Sequence, residues 1–341
     1  MSVETAVNGF GRIGTVHSRI AIDDPGLELL AINGGSVLDT HDVAVRLEHD
    51  SVHGAFGNHV VDEQENAITI DESTVAVYSF RNLDQAPWRE VSDRLVVVES
   101  TGAHLTRASA AGHLEAGAKR VVVTAPARDI EIPTIVRGVN DSEAMLASVK
   151  DIVAVSSCST NCIAPILKVL DTNFEVRWGV ADVPHAYTNS QRPLDGRGKD
   201  TASRRGLNSL LPASTGSAKE VILLFPKLDF FRSESMRVPI ADGSVAMLTV
   251  GLQGHVVQGD IVESLVTASE TSHNGIIGMS RRGMYSERVL GQANSSVIDP
   301  RQITVDRTGE TSIVKLQAWF DNEWGYSNRV AELAKLIGEL I

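Results

Sequence analysis

The sequence predicts an α/β protein in two parts: a doubly wound parallel sheet through about residue 157, then an α+β unit on a mixed or antiparallel sheet. Two observations carry this. Before residue 157, short apolar strands alternate with helix-like segments, the pattern of parallel strands joined by crossover helices. From residue 158 the strands lengthen and follow one another through loops, as in a sheet built largely from antiparallel neighbours.

In order, strands are expected at Thr5–Asn8, Leu27–Asn33, Leu95–Glu99, Arg120–Thr124 and Ile152–Ser156, each a short apolar run rich in β-branched residues. A helix through Ser18-Arg19-Ile20-Ala21 joins the first two, and a helix from Arg107 that ends at Gly117 joins the third and fourth. The stretch Asn58–Phe80 reads as a β-rich insertion, with Ala67–Ile70 and Val75–Ser79 as hairpin strands. In the second part, strands are expected at Arg177–His185, Phe230–Pro239, Val245–Gln253 and Thr311–Phe320. Helices are expected at Ser159–Thr172, Ser217–Leu224 and Ile261–Glu270. The last segment, Ser327–Ile341, places Val330, Leu333, Ala334, Ile337 and Leu340 at the spacing of an amphipathic helix.

The first strand runs into Asn8-Gly9-Phe10-Gly11-Arg12-Ile13-Gly14, a Gly-x-Gly-x-x-Gly turn that opens a helix. The glycines permit a tight turn and let the backbone approach a pyrophosphate, which the helix N-terminus then holds. With a second strand following, this is the context of a Rossmann-type dinucleotide-binding unit.

The richest chemical signal is Ser157-Cys158-Ser159-Thr160-Asn161-Cys162. It lies between a strand-like run and the apolar helix Ile163-Ala164-Pro165-Ile166-Leu167-Lys168-Val169-Leu170. Cys158 therefore falls at a strand-to-helix turn, where N–H groups and the helix dipole favour a thiolate over a thiol. Cys162, one turn later, is expected as a buried hydrophobe. Cysteines four apart on a helix are most often inert core residues, so the catalytic reading needs a base; His185, ending the run Asp182-Val183-Pro184-His185, is the candidate.

Composition limits the rest. A chain of 341 residues can hold two cores, and its 43% apolar content contains no run near the ~20 residues of a membrane helix. Two cysteines give no disulfide framework, and Met1-Ser2-Val3-Glu4-Thr5 has no signal-like stretch, so a cytoplasmic location is expected. No metal site is expected. A net charge of −12 argues against nucleic acid as an obligate partner. Arg192, Arg197, Lys199, Arg204 and Arg205 form a basic island in this acidic chain, suited to an anionic substrate or to a solvated loop.

These motifs resemble the phosphorylating glyceraldehyde-3-phosphate dehydrogenase family over essentially the whole chain. Besides the glycine turn and the cysteine segment, the resemblance is carried by Asp50-Ser51-Val52-His53-Gly54, Glu99-Ser100-Thr101-Gly102, His185-Ala186-Tyr187-Thr188, Pro212-Ala213-Ser214-Thr215-Gly216, Arg237-Val238-Pro239 and Trp319-Phe320-Asp321-Asn322-Glu323-Trp324-Gly325-Tyr326-Ser327. It implies that residues 322–341 return to the dinucleotide-binding domain, 1–157, leaving 158–321 as the catalytic domain. It implies a homotetramer that converts glyceraldehyde 3-phosphate and inorganic phosphate to 1,3-bisphosphoglycerate through a cysteine hemithioacetal and thioester. Cys158 is then the nucleophile and His185 the base, with Ser157 and Ser159 beside the nucleophile. Thr215 and Gly216 would take inorganic phosphate, Thr188 and Arg237 the substrate phosphate, and Arg204, or else Arg205, would serve both. Asn8, Gly9, Gly11, Arg12, Ile13, Gly14, Asn33, Gly34, Ser36, Ser100, Thr101, Gly102 and Thr124 would line the cofactor, and Asn322 would hold the nicotinamide amide. The alternatives are an erythrose-4-phosphate dehydrogenase and a non-catalytic binding protein on the same scaffold.

One departure bears on the cofactor. The family usually has an acidic residue after the Asn that ends the second strand, where it accepts from the ribose 2′-OH of NAD. Here the text is Asn33-Gly34-Gly35-Ser36, and the nearest acid is Asp39. Loss of that charge removes repulsion against a 2′-phosphate, so NADP is favoured over NAD.

Overall fold

The computed structural model describes residues 2–35, 38–149, 151–189, 191 and 209–341. Ser36, Arg204, Arg205 and the rest of the basic island lie outside the described residues. The chain divides into two compact units: 1–135 with 141–156 and 327–341, and 136–140 with 157–326.

The first unit is built on strands β1 (Val3–Asn8), β2 (Leu27–Asn33), β3 (Val61–Gln64), β4 (Ala67–Ile70), β5 (Ser73–Tyr78), β6 (Val96–Glu99), β7 (Arg120–Val123) and β8 (Ile152–Ala154). Their order across the sheet is β8-β7-β6-β1-β2-β5-β4-β3. From β8 to β5 the strands are parallel, and β4 and β3 continue as an antiparallel meander. The chain leaves β1 for β2 on one side and later returns to β6 on the other. The carboxyl end of β1 is therefore a topological switch point, the place where open α/β sheets bind ligands. The register brings Asn8 level with Asn33 on one side and Glu99 on the other.

Helix α1 (Arg12–Asp23) connects β1 to β2, helix α2 (Thr40–Glu48) follows β2, and helix α3 (Arg107–Glu115) connects β6 to β7. The α3 start is set by Thr106, whose hydroxyl accepts from Ser109 N–H while the Ser109 side chain bonds back to Thr106. Register places Ala6, Ala31, Val97, Val121 and Ile152 on one face of the sheet, where Ala6, Ala31 and Val97 cluster with Trp88, and Val121 and Ile152 with Ala110.

The second unit carries β9 (Val176–Ala186), β10 (Leu211–Ala213), β11 (Phe230–Val238), β12 (Ser244–Gln253), β13 (Ile277–Met279), β14 (Ser296–Ile298), β15 (Thr304–Thr308) and β16 (Thr311–Phe320). The order is β10-β11-β9-β12-β16-β14-β13, with β15 also paired to β16. The sheet is mixed: β9 runs parallel to β11 and antiparallel to β12. Helices α4 (Cys158–Phe174), α5 (Ser217–Leu224) and α6 (Gln258–Glu270) share its core, where Ile163, Ile166 and Leu170 of α4 cluster with Val183, Leu248 and Leu316 of the sheet.

Helix α7 (Trp324–Gly338) starts three residues before the expected Ser327. The reason is Asp321, whose Oδ1 accepts from the N–H groups of Glu323 and Trp324 and so supplies a cap the apolar spacing does not show. Residues 322–326 accordingly group with the second unit, and α7 belongs to the first from Ser327 onward. There Val330, Leu333, Ala334 and Ile337 are buried, and Lys335 pairs with Asp24. Residues 136–140 also group with the second unit, where His273 Nε2 bonds the Gly138 carbonyl at 2.9 Å. Among the described residues no helix is long and apolar enough to cross a membrane.

Candidate active site

The nucleophile candidate opens α4. Ser157 is the N-cap, its Oγ accepting from Thr160 N–H at 3.1 Å. Immediately before it the chain turns through Ser156, buried and at φ 72°, a left-handed conformation costly for a residue with a Cβ. This strained turn ends the strand at Ala154 rather than the expected Ser156 and swings the chain into the helix. Behind the cap, Glu220 of α5 accepts from Thr160 Oγ1 at 2.7 Å. Cys162 is buried among core residues, as expected.

His185 sits near the end of β9, and Arg237 is its register partner on β11. Cys158 Sγ lies 3.3 Å from His185 Nε2. The other ring nitrogen, Nδ1, lies 2.7 Å from the Ala186 carbonyl and 2.6 Å from Arg237 Nη1. Arg237 also donates to that carbonyl at 3.1 Å, while its buried Nε has no hydrogen-bond partner among the described residues. A guanidinium with an unspent buried donor suits an incoming anion.

The electrostatics differ from the thiolate expected of a helix N-terminus. Burial pushes the Cys158 thiol up to about 11; Arg237 and the Ser159 hydroxyl and N–H pull the other way but do not overcome it. Burial, with help from Arg237, pushes His185 down to about 4. Both shifts favour the neutral thiol and the neutral imidazole, because burial penalises their charged forms.

Asn322 is buried, and its Oδ1 accepts from Ser244 Oγ at 2.6 Å, which assigns the other end of the amide as its donor. The same Ser244 Oγ accepts from Ala186 N–H at 3.0 Å, tying the β9 end that carries His185 to Asn322. Ser244 was not evident from sequence. Thr215 and Gly216 lie at the start of α5, with Thr215 Oγ1 2.9 Å from Ser217 Oγ. Thr188 forms a turn with Gln191, its N–H donating to Gln191 Oε1 at 2.8 Å.

In the first unit the glycine turn is built as a cradle. Gly9 has φ 97°, and a Cβ there would collide with Thr101 N at 2.7 Å. A Cβ on Gly14 would meet the Gly9 carbonyl at 2.0 Å, whereas one on Gly11 would meet nothing within 4 Å. Gly11 is the N-cap of α1 and bears no capping side chain, leaving the helix N-terminus to an anion. The Arg12 side chain is engaged with Asp50 in a bidentate ion pair, so its backbone N–H is what it offers here. Burial raises the Asp50 carboxyl, but Arg12 and the N–H groups of His53 and Val52 overturn this and hold it far below the usual range.

The remaining cofactor candidates converge on the three strand ends. Asn33 Nδ2 donates to Asn8 Oδ1 at 2.7 Å, Ser100 N–H to the Asn8 carbonyl at 2.7 Å, and Thr124 Oγ1 to the Glu99 carbonyl at 3.0 Å. Thr101 donates its N–H to Glu99 at 2.8 Å and begins the turn through Gly102. Glu99, with His113 and Trp88 behind it, bonds these candidates; sequence reading named it only within the Glu99–Gly102 segment and not as a site residue. Burial pushes Glu99 up, yet hydrogen bonds from His113, Thr101 and Asn8 hold it below the usual carboxylate value.

A doubly wound unit with a phosphate-cradling turn, joined to a unit with a thiol–imidazole pair, is the plan of a dinucleotide-dependent dehydrogenase. Residues 3–107 match the model of the glyceraldehyde 3-phosphate dehydrogenase NAD binding domain, and residues 157–322 that of its C-terminal domain. The chain is 38% identical over 341 residues to glyceraldehyde-3-phosphate dehydrogenase 1 of Bacillus subtilis (strain 168), covering 99% of each chain. It is 39% identical over 339 residues to glyceraldehyde-3-phosphate dehydrogenase of Priestia megaterium (strain DSM 319 / IMG 1521), covering 99% of this chain and 98% of that one. To the enzyme of that name from Bacteroides fragilis (strain YCH46) it is 37% identical over 339 residues, covering 98% and 99%. The chain belongs to the glyceraldehyde-3-phosphate dehydrogenase family.

Proposed function

We propose that this chain oxidises glyceraldehyde 3-phosphate to 1,3-bisphosphoglycerate with NAD(P) and inorganic phosphate. The observation that carries this reading is the Cys158–His185 pair at 3.3 Å, beside a guanidinium whose Nε has no partner among the described residues, in a chain of this family.

With the imidazole proton on Nδ1, facing the Ala186 carbonyl, Nε2 is left to accept the thiol proton. Cys158 then attacks the aldehyde carbon, and the α4 N–H groups with the Ser159 hydroxyl face the oxygen that becomes negative. The His185 imidazolium returns that proton to the oxygen, giving the hemithioacetal, and takes it back as the hemithioacetal is oxidised. Gly9, Gly11 and Gly14 at the α1 N-terminus would hold NAD(P), which would supply the hydride acceptor for oxidation to a thioester. Inorganic phosphate cleaves the thioester at carbon, releasing the acyl phosphate and returning the Cys158 thiolate, to which His185 returns its proton. Arg237 and Thr188 bind the substrate phosphate; Thr215 and Gly216 bind inorganic phosphate. Arg204, or Arg205, joins them from outside the described residues.

For the cofactor, NADP is the reading we favour over NAD. No carboxylate follows Asn33, and Gly34 has little room for one, since a Cβ there would lie 2.8 Å from Leu38 Cβ and 3.0 Å from its carbonyl oxygen. A homotetramer in the cytoplasm completes the proposal, and light scattering on the purified protein tests the assembly. The deciding assay is steady-state turnover with glyceraldehyde 3-phosphate and erythrose 4-phosphate, each dinucleotide, and phosphate present or absent. Phosphate-dependent reduction with the triose supports the proposal; phosphate-independent turnover with the tetrose overturns it.

A further inference from the structure

Under the carboxyl ends of β2, β1 and β6 runs an unbroken chain of side-chain hydrogen bonds. Trp88 Nε1 donates to His113 Nδ1 at 2.9 Å, and His113 Nε2 meets Glu99 Oε2 at 2.9 Å. Asn8 Nδ2 donates to the same oxygen at 2.6 Å, and Asn33 Nδ2 to Asn8 Oδ1 at 2.7 Å. Asn33 Oδ1 then accepts the N–H groups of Gly35 and Phe80, each at 3.1 Å. Trp88, His113, Glu99, Asn8 and Asn33 are all buried.

The chemistry of the two fixed members dictates the direction of every bond. An indole N–H only donates, so His113 Nδ1 accepts and its proton sits on Nε2, aimed at Glu99. An ionised carboxylate only accepts, so Asn8 must turn its NH2 to Glu99 and its oxygen to Asn33. Asn33 must in turn present its NH2 to Asn8 and its oxygen to the Gly35 N–H. On the other side, Glu99 Oε1 gathers the Thr101 N–H at 2.8 Å, together with its hydroxyl. Amides alone could flip at little cost; a donor-only group and an acceptor-only group remove that freedom.

We infer that Trp88 and His113 are positioning residues for the dinucleotide crevice, acting through Glu99 to orient Asn8, Asn33 and the Gly34–Gly35 turn. This rests on the reading of the first unit as the NAD(P) site. Trp88 and His113 act behind Glu99, and their effect reaches the crevice through the amide directions. Burial of the relay makes it stiff, since any member turned the wrong way leaves a donor facing a donor away from water.

The test is calorimetric binding of NAD and NADP to the full chain, with the melting temperature and the cofactor KM measured on the same preparations. Glu99→Gln keeps the shape but introduces an NH2 that must face Asn8, Thr101 or His113, so dinucleotide Kd should rise about tenfold or more. Trp88→Phe deletes only the indole donor and should raise Kd by about two- to threefold, with cofactor KM moving in step. Should Glu99→Gln fail to fold, Trp88→Phe carries the test. A lower melting temperature with unchanged Kd in the folded protein would mean a structural role alone and overturn the inference. Failure of the unaltered chain to bind either dinucleotide would instead overturn the site reading on which it rests.

Discussion

The end of β1 and the start of α4 both bury polar side chains where a strand stops, and they treat those groups in opposite ways. At β1 the polar groups satisfy one another: Glu99 accepts from His113, Asn8 and Thr101, and both amides are bonded at each end. At α4, Cys158 and His185 are each displaced from their charged forms by burial, and the buried Nε of Arg237 has no partner among the described residues. A saturated network resists change and suits a surface that must hold one ligand shape. An unsaturated one is poised to exchange protons and accept an anion, which is what covalent catalysis requires.

The contrast can be broken most sharply at its reactive end. Cys158→Ser should leave dinucleotide binding intact and reduce aldehyde oxidation below about 1% of the parent, because a hydroxyl is a far weaker nucleophile than a thiol. Residual turnover well above that in a steady-state assay would point to another nucleophile. His185→Asn should keep the fold and lower kcat by roughly 10²–10⁴, the range for a lost general base. Arg237→Leu should raise the aldehyde KM by about tenfold or more through loss of a charge-assisted phosphate contact. The same variant should slow Cys158 alkylation by iodoacetate at fixed pH, since removing the cation raises the thiol further. A change confined to the KM for inorganic phosphate would reverse the assignment of the two anion pockets.

The pH dependence sharpens the comparison with smaller effects. With the thiol held near 11, alkylation of the substrate-free chain should climb steadily across roughly pH 7 to 9; a plateau there would mean a preformed thiolate–imidazolium pair. Stability should respond to acid through His185 and through His17, which burial also lowers to about 4. Their folded pKa values lie below the unfolded value of about 6.5, so the unfolded chain binds more protons between the two. The unfolding free energy from urea titration should therefore be full above about pH 6.5 and fall as the pH drops towards 4, by roughly 1 kcal/mol per pH unit for each group.

Much of this was legible in the chain. Periodicity located the parallel strands and the long strands of the second unit, because each is a local apolar run of the right length. The glycine turn and Cys158 were legible because their chemistry depends on neighbours in sequence. The relay was not: Trp88 of the short helix Trp88–Val91, Glu99 of β6 and His113 of α3 meet only when these elements pack, and no local pattern marks that meeting. Ser244 was silent for the same reason, its hydroxyl joining the β9 end to Asn322 across the sheet. The opposing pull of desolvation on Cys158 was not legible, because a helix start can be read locally whereas burial depends on everything that packs around the thiol. The strained φ of Ser156 likewise belongs to the assembled turn, not to the residue type.

The central claim is that Cys158 carries the acyl group between oxidation and phosphate attack. Mass spectrometry of the Cys158 peptide, after mixing the chain with glyceraldehyde 3-phosphate and dinucleotide in the absence of phosphate, tests it most directly. The account predicts a phosphoglyceroyl thioester on Cys158 that disappears when inorganic phosphate is added. An unmodified Cys158 under conditions where the dinucleotide is reduced, or an adduct that persists in phosphate, would contradict it.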